Sequence, residues 1–259
     1  MISIIPLGTI DYATGLRLQQ RLVELRKEAR IRDVLLLLEH SPVITLGRNA
    51  KAANIIASSK LLAVRGVEVS DCDRGGDVTF HGPGQLVGYP IFDLRGFPAH
   101  DGRRQTLGVI EYVRRLEEVL IRTCADYRIP TKRIAGLTGV WTENNPEAKI
   151  AALGVHISRG VTSHGVALNV NTDLSFFNLI VPCGIESKPV TSIEKELGKQ
   201  VPLEEVANSV SRNFGQVFES QILWLESLDA LIKPTVGVPL REPRKLQQIH
   251  KQEDGPTWA

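Results

Sequence analysis

Residues 74–94 read RGGDVTFHGPGQLVGYPIFDL, and the folding of this stretch decides the class of the chain. Five glycines and two prolines interrupt a run otherwise rich in Val, Phe, Tyr and Ile. β-Branched and aromatic residues favour strands, whereas Gly and Pro at this density cut strands into short pieces joined by turns. The segment therefore reads as loop, strand and turn together. Loops carried on a rigid sheet are frequent places for binding and catalytic groups.

On the N-terminal side, Ile2 to Ile5 reads as a short strand. Thr9 is placed to cap a helix running to about Arg30, with Tyr12, Leu16, Leu22 and Leu25 on one face and Gly15 as a local weak point. Asp33 to Glu39 is apolar between its ends and predicts a central strand; the Ser41-Pro42 turn leads to a strand around Ile44, and Val67 to Asp71 predicts another. On the C-terminal side, Leu107, Ile110, Val113, Leu116, Leu120 and Cys124 recur at helical spacing, which puts Cys124 in the core. GLTGVW, KIAALGVHISR and VTSHGVALNVNT then alternate polar and apolar residues, the pattern of an antiparallel sheet. Leu203 to Phe218 reads as helix, and a shorter helix ends near Lys233. Strands before and after a central helix, with little βαβ alternation, predict an α+β domain over residues 1–233. Residues 234–259, with four prolines, read as an extended or disordered tail.

Composition excludes several classes. No apolar run approaches the ~20 residues of a membrane span, and the N-terminus lacks the features of a secretory signal. Cys72, Cys124 and Cys183 are far apart with no CxxC pattern, which fits free thiols in a reducing, cytoplasmic setting. Thirty-one basic against 29 acidic residues give +2, too balanced for a dedicated nucleic-acid binder. The six histidines and three cysteines show no metal-ligand spacing, so no metal is expected. No GK[ST] follows Gly75-Gly76, and the glycines at 82, 84 and 88 miss the dinucleotide spacing by one residue.

Cys183 lies in FFNLIVPCGIESKPVTS, at a turn made by Pro182 and Gly184. A thiol at a turn is reachable, and the turn leaves backbone N–H groups available to an oxyanion; the alternative is a small packed hydrophobe. A nucleophilic thiol needs a cation or base beside it, and Lys149, His81 and His164 are the candidates. Lys149 opens the apolar strand AKIAALGV, where partial burial makes proton exchange easier; a solvated lysine at a strand start is the other reading. His81 in FHGPGQ and His164 in SHGVALN are either site or structural histidines. Arg74-Gly75-Gly76 is a positive anchor followed by open backbone, or a tight turn carrying a surface arginine.

Taken in order, RGGDVTFHGPGQ, KIAALGV, TSHGVALNVNTD and IVPCGI resemble the lipoyl(octanoyl) transferase family over roughly residues 30–200. The resemblance implies a mixed-sheet catalytic domain like that of biotin- and lipoate-protein ligases. It implies transfer of an octanoyl group from octanoyl-acyl carrier protein to a lysine of apo lipoyl domains, those of 2-oxoacid dehydrogenases and of glycine cleavage H protein. No cofactor is needed, because the acyl group arrives activated. Cys183 corresponds to the acyl-thioester nucleophile and Lys149 to the residue that activates it. Arg74, Gly75, Gly76, Asp77, Val78, Thr79, Phe80 and His81 correspond to substrate-binding positions. So do Ala152, Leu153 and Gly154, and Gly165, Val166 and Ala167. His156 and Gly160 depart from the family's pattern. A monomer is expected. Rival readings are an ATP-dependent lipoate ligase, a lipoyl amidotransferase and a non-catalytic carrier- or lipoyl-domain binding module.

Overall fold

The structure, a computed structural model, describes residues 1–99, 106–181 and 188–232. The expected tail, 234–259, and Cys183 lie outside the described residues. The chain opens with β1 (Ile2–Ile10), α1 (Tyr12–Lys27), β2 (Asp33–His40), β3 (Val43–Leu46), α2 (Ser59–Val64), β4 (Glu68–Asp71), β5 (Val78–His81) and β6 (Gln85–Ile91). It continues with α3 (Val109–Asp126), β7 (Thr131–Ile134), β8 (Leu137–Thr142), β9 (Lys149–Ser158) and β10 (Val161–Asn169). The last elements are α4 (Ile193–Leu197), α5 (Leu203–Val217), β11 (Ile222–Trp224) and α6 (Asp229–Ile232).

Eight strands form one mixed sheet in the order β11-β1-β2-β6-β10-β9-β8-β7, and three form a smaller sheet in the order β4-β3-β5. The large sheet buries both faces around β2, which explains that strand's unbroken apolar run. Leu35 and Leu37 enter a core shared with Leu116 and Leu120 of α3 and Phe214 of α5, while Val34, Leu36 and Leu38 pack with Leu22 and Leu25 of α1. Burying each leucine contributes about 1.5–3 kcal/mol before chain entropy is charged against it. Substituting a polar residue anywhere along Val34–Leu38 would open one of the two cores. The small sheet has its own core, where Ile44, Val78 and Phe80 meet Phe177 and Ile180.

Several expectations are corrected. β1 runs to Ile10, so Thr9 is in the strand and Asp11 caps α1, its carboxylate accepting the Thr14 N–H at 2.7 Å. A carboxylate at the start of a helix satisfies an orphan donor and opposes the positive end of the helix dipole. On α1 the buried face holds Gln19 and Val23, and Leu16 is only partly covered. On α3, Ile110 is 80% exposed, and Tyr112, Leu116, Val119 and Leu120 form the buried stripe instead. β1–α1–β2 in the large sheet and β3–α2–β4 in the small one are parallel units with intervening helices, so βαβ alternation is present; β11 also pairs parallel to β1, and the remaining pairs are antiparallel. β7 adds an edge strand to the large sheet that the sequence pattern does not announce. Cys124 is fully buried as expected, and burial pushes its thiol up to about 12.

Arg159–Gly160 joins β9 to β10 with both φ angles positive, 52° and 84°, the two-residue hairpin geometry that favours glycine at its second position. Gly160 is therefore a turn requirement at the hairpin's tip. Gly15 has another cause: a Cβ there would stand 2.9 Å from His40 Cε1. That ring is held at both nitrogens, Nδ1–H donating to Ile10 O at 3.0 Å and Nε2 accepting from the Tyr89 hydroxyl at 2.7 Å. Gly-to-Ala in a helix ordinarily stabilises by roughly 0.5–1 kcal/mol. Gly15→Ala should reverse that sign and cost roughly 1–3 kcal/mol through overpacking, read as a lower thermal midpoint. An unchanged or raised midpoint would show that the His40 contact does not constrain the helix.

Candidate active site

Side chains alternate along strand β5 of the small sheet, and alternation sorts them between two environments. Val78 and Phe80 face the small core, where Phe80 stacks on Phe176 at 4.6 Å between centroids. Thr79 and His81 face a slot between the two sheets, shared with Arg74, Gly76 and Asp77 from the glycine loop. The opposite wall is backbone-rich: Ala152, Leu153 and Gly154 from β9, and Gly165, Val166 and Ala167 from β10. The structure thus gathers three separate sequence motifs around one cavity. Open space in the slot is only about 50 Å³, so a ligand entering it must displace side chains.

The loop is seated by Arg74, which is buried and gives three hydrogen bonds to Thr45: Nε and Nη2 to Oγ1 at 3.2 and 2.9 Å, and Nη2 to the carbonyl at 2.7 Å. Gly75 donates its N–H to Val155 O at 3.0 Å, tying the loop to β9. A Cβ at Gly154 would lie 2.7 Å from Gly75 O, and one at Gly165 would lie 2.3 Å from Gly88 O. Both glycines are needed for close backbone approach. Asp77 holds the loop from its other end, accepting from the Val78 and Lys51 N–H groups and from the Asn54 side chain.

Residues not singled out by the sequence complete the slot. Tyr12, Val87 and Tyr89 line it, and the Tyr12 ring lies parallel to His81 at 6.4 Å. Tyr12 stood out only as a helix-face residue, and Tyr89 lay inside the quoted strand with no signal of its own. His81 donates from Nδ1 to Gln85 Oε1 at 2.7 Å, since the Gln85 amide nitrogen is committed to Phe80 O and Asn169 Oδ1. Asn169 donates in turn to Thr191 O, and the Thr191 N–H donates to Lys149 O. A chain of hydrogen bonds therefore joins the slot's histidine to the backbone of Lys149.

Among the described strand residues other than glycine, His164 alone is held at positive φ, +55°, a region that non-glycine residues rarely adopt. Gln19 accepts its N–H at 2.6 Å, and its Nε2–H donates to Asp73 at 2.6 Å. Burial raises Asp73, but the His164 hydrogen bond and charge outweigh it and hold the carboxyl below its usual range. His156, on the neighbouring strand, accepts from Arg48 at 2.8 Å. Lys149 is buried at the start of β9, with Nζ 4.7 Å from the centre of the Trp141 ring. Cys183 falls in 182–187, but both flanks are fixed: Val181 N–H donates to Asn54 O at 2.7 Å, and Lys149 N–H donates to Pro189 O at 2.8 Å. Among the described residues, no group of three or more His, Cys, Asp or Glu is arranged to hold a metal, and no helix is long and apolar enough to cross a membrane.

Burial, reinforced by His40, pushes His81 from its usual 6.5 down to about 3. An unfolded chain takes up that proton near 6.5 and the native state refuses it until about 3, so native stability is complete above 6.5 and drains away as pH falls through this window. Urea unfolding should give a lower stability at about pH 5 than at about pH 7, with a smaller difference in His81→Gln. An identical difference in the two proteins would remove His81 from the linkage.

The lipoyl protein ligase A/B catalytic domain family matches residues 11–215. An octanoyltransferase of Koribacter versatilis is 62% identical over 98% of this chain and 98% of its own length. One from Acidobacterium capsulatum is 58% identical over 88% of this chain and 94% of its own. A bipartite lipoate protein ligase of Thermoplasma acidophilum shares the fold at TM-score 0.66 and 16% identity, covering 88% of this chain and 87% of that one. The chain belongs to the lipoyl protein ligase A/B catalytic domain family, and within it to the octanoyltransferases.

Proposed function

We propose that the protein carries an octanoyl group from octanoyl-acyl carrier protein to the ε-amine of a lysine on apo lipoyl domains, through a thioester on Cys183. The observation that carries this reading is the anchoring of both flanks of residues 182–187. Val181 is bonded to Asn54, whose amide holds the slot residue Asp77, and Pro189 and Thr191 are bonded to Lys149. Cys183 follows Val181 by two residues, and covalent geometry keeps Cα atoms that close within about 8 Å. The flank before Cys183 is thereby tied to the slot's loop and the flank after it to the strand that carries the buried Lys149, which supports a nucleophile at this position.

In the first half-reaction the Cys183 thiolate attacks the thioester carbonyl, and the carrier's thiolate leaves and takes up a proton. The proton taken up by the carrier comes from the Lys149 ammonium, which becomes a neutral amine; in the second half-reaction the acceptor amine attacks the acyl-enzyme, the Cys183 thiolate leaves, and the surplus proton passes to that neutral amine, restoring the ammonium. Arg74 to Asp77, Thr79 and His81, with Ala152 to Gly154 and Gly165 to Ala167, form the acyl slot. Val78 and Phe80 support it from behind. Each methylene buried in the slot contributes about 0.8 kcal/mol, which gives a graded preference for chain length. Glycine cleavage H protein and the 2-oxoacid dehydrogenases supply acceptor domains of the required chemistry.

Intact-mass measurement after exposure to octanoyl-acyl carrier protein should show one added octanoyl group, released by hydroxylamine. Cys183→Ala should remove both that adduct and transfer, while Cys72→Ala and Cys124→Ala keep transfer within about twofold. Transfer by Cys183→Ala at the parent rate would sink the mechanism, and pyrophosphate release from octanoate with ATP would replace it with a ligase. Lys149→Ala should move the pH profile of Cys183 alkylation upward by about one unit, tenfold fewer thiolates at neutral pH.

A further inference from the structure

Lys149 is carried at an irregular place in the sheet. Val140 pairs with Ala151 but Trp141 pairs with Lys149, so β9 has one extra residue between these pairs. A bulge re-aims the side chain beside it, and such a side chain keeps its aim only if its surroundings hold it. Three residues of α3 and β8 supply that hold.

Trp141, 1% exposed, lies directly across from Lys149 and presents its ring 4.7 Å from the ammonium nitrogen. The indole N–H donates to Leu137 O at 3.4 Å, which fixes the ring's plane. Gly139 sits at φ +134°, and a Cβ there would stand 3.2 Å from Lys149 Cε and 3.0 Å from Ala151 O. The lysine stem therefore runs through space that any side chain at position 139 would narrow. The Gly139 N–H donates at 3.2 Å to Glu117, a carboxylate with no exposure, which Arg114 and Arg133 neutralise from 2.7 and 3.2 Å. A buried charge of this kind is costly unless paired, so its carboxylate is confined to the one place where the two arginines and this backbone N–H meet.

We propose that Glu117, Gly139 and Trp141 are positioning residues for Lys149: the carboxylate anchors the glycine, the glycine leaves the lysine stem its channel, and the indole face seats the ammonium. The proposal rests on the reading that Lys149 activates Cys183. The three residues act through Lys149 and touch no substrate. An ammonium over an indole face is stabilised in place, and a phenyl ring keeps part of that attraction while an aliphatic side chain keeps none.

The test uses the full chain with Trp141→Phe, Trp141→Leu, Gly139→Ala, Glu117→Gln and Glu117→Ala, each checked for native circular dichroism. Two quantities are read: the pH profile of Cys183 alkylation by iodoacetamide, and kcat separately from KM for the acceptor. Trp141→Leu should lower the alkylation rate at neutral pH by about threefold and Trp141→Phe by less. Gly139→Ala should lower kcat by about tenfold or more with KM within about twofold, because a displaced catalytic group costs rate rather than binding. Glu117→Gln, whose amide oxygen still accepts from Gly139, should keep most of the activity that Glu117→Ala loses. If Gly139→Ala fails to fold, the Leu and Phe variants of Trp141 decide alone. Folded variants with parental profiles and kcat, alongside a shifted profile in Lys149→Ala, would overturn this inference and leave the proposed function standing. An unshifted profile in Lys149→Ala would remove the reading on which it depends.

Discussion

Everything in the site depends on one close approach, the backbone of the Arg74–Gly76 loop lying directly on strand β9. Gly75 gives its N–H to Val155 O, and Gly154 has no Cβ because Gly75 O occupies the place where one would stand. The loop is pressed there by Arg74, whose guanidinium is buried against Thr45 of the small sheet. Hydrogen bonds to a charged group are worth about 1.5–3 kcal/mol each, and leaving such a group buried without them costs more than that. The loop therefore cannot drift from the sheet without exposing or orphaning Arg74. The slot's width follows from this: small residues on β9 and β10 form one wall, and a loop that cannot retreat forms the other.

The chemistry of the slot's polar wall follows from its burial. His40, His81 and His164 are each shifted below their ordinary values with burial as the leading cause, so all three stand neutral near pH 7. Tyr12 and Tyr89 are shifted upward, again chiefly by burial, and keep their protons. The rings of His81, His164, Tyr12 and Tyr89 line the slot, with His40 behind them bonded to Tyr89, and neutral rings can lie against an alkyl chain without the desolvation penalty that a charged imidazolium would impose. Charged side chains are kept to the loop and rim, on Arg74, Asp77, Asp73 and Arg48. The division suits a ligand with an apolar tail and a polar reacting end.

What the sequence disclosed tracks the range of the interaction involved. The β2 run, the α5 helix and the three strands from residue 137 onward were legible because period and composition are local signals. Ile110 fits the helical spacing of α3, yet packing against α5 and the strands β7, β8 and β9 decides which side of the helix faces inward. The length of β1 moves the cap of α1 from Thr9 to Asp11. Within the site, the glycine loop and β9–β10 motifs were legible as segments, but alternation along β5 split Val78 and Phe80 from Thr79 and His81, a distinction that needs to know which face meets which sheet. Tyr12 and Tyr89 come from two elements brought together only by the packing of α1 on β6 and β10. Trp141 and Gly139 carried no local signal because their importance depends on what lies across the strand.

The lipoate ligases show why the scaffold alone does not fix the reaction. At 16% identity they share the strand order's overall shape with this chain, and that likeness speaks only to fold. The energetic distinction lies in how the acyl group is supplied. A free acid must be activated at the expense of a nucleotide, whereas a thioester passed to an amine runs downhill and needs only a nucleophile and a route for protons. Such a site has to hold two groups of opposite charge in a poorly solvated place without letting them collapse into a simple ion pair with other partners. Here the Lys149 ammonium lies over an indole face, and the buried carboxylate of Glu117 nearby is spent on two arginines and a backbone N–H. An aromatic face attracts a cation without offering it a proton acceptor, so the Trp141 ring orients the ammonium and adds no charge of its own to the site.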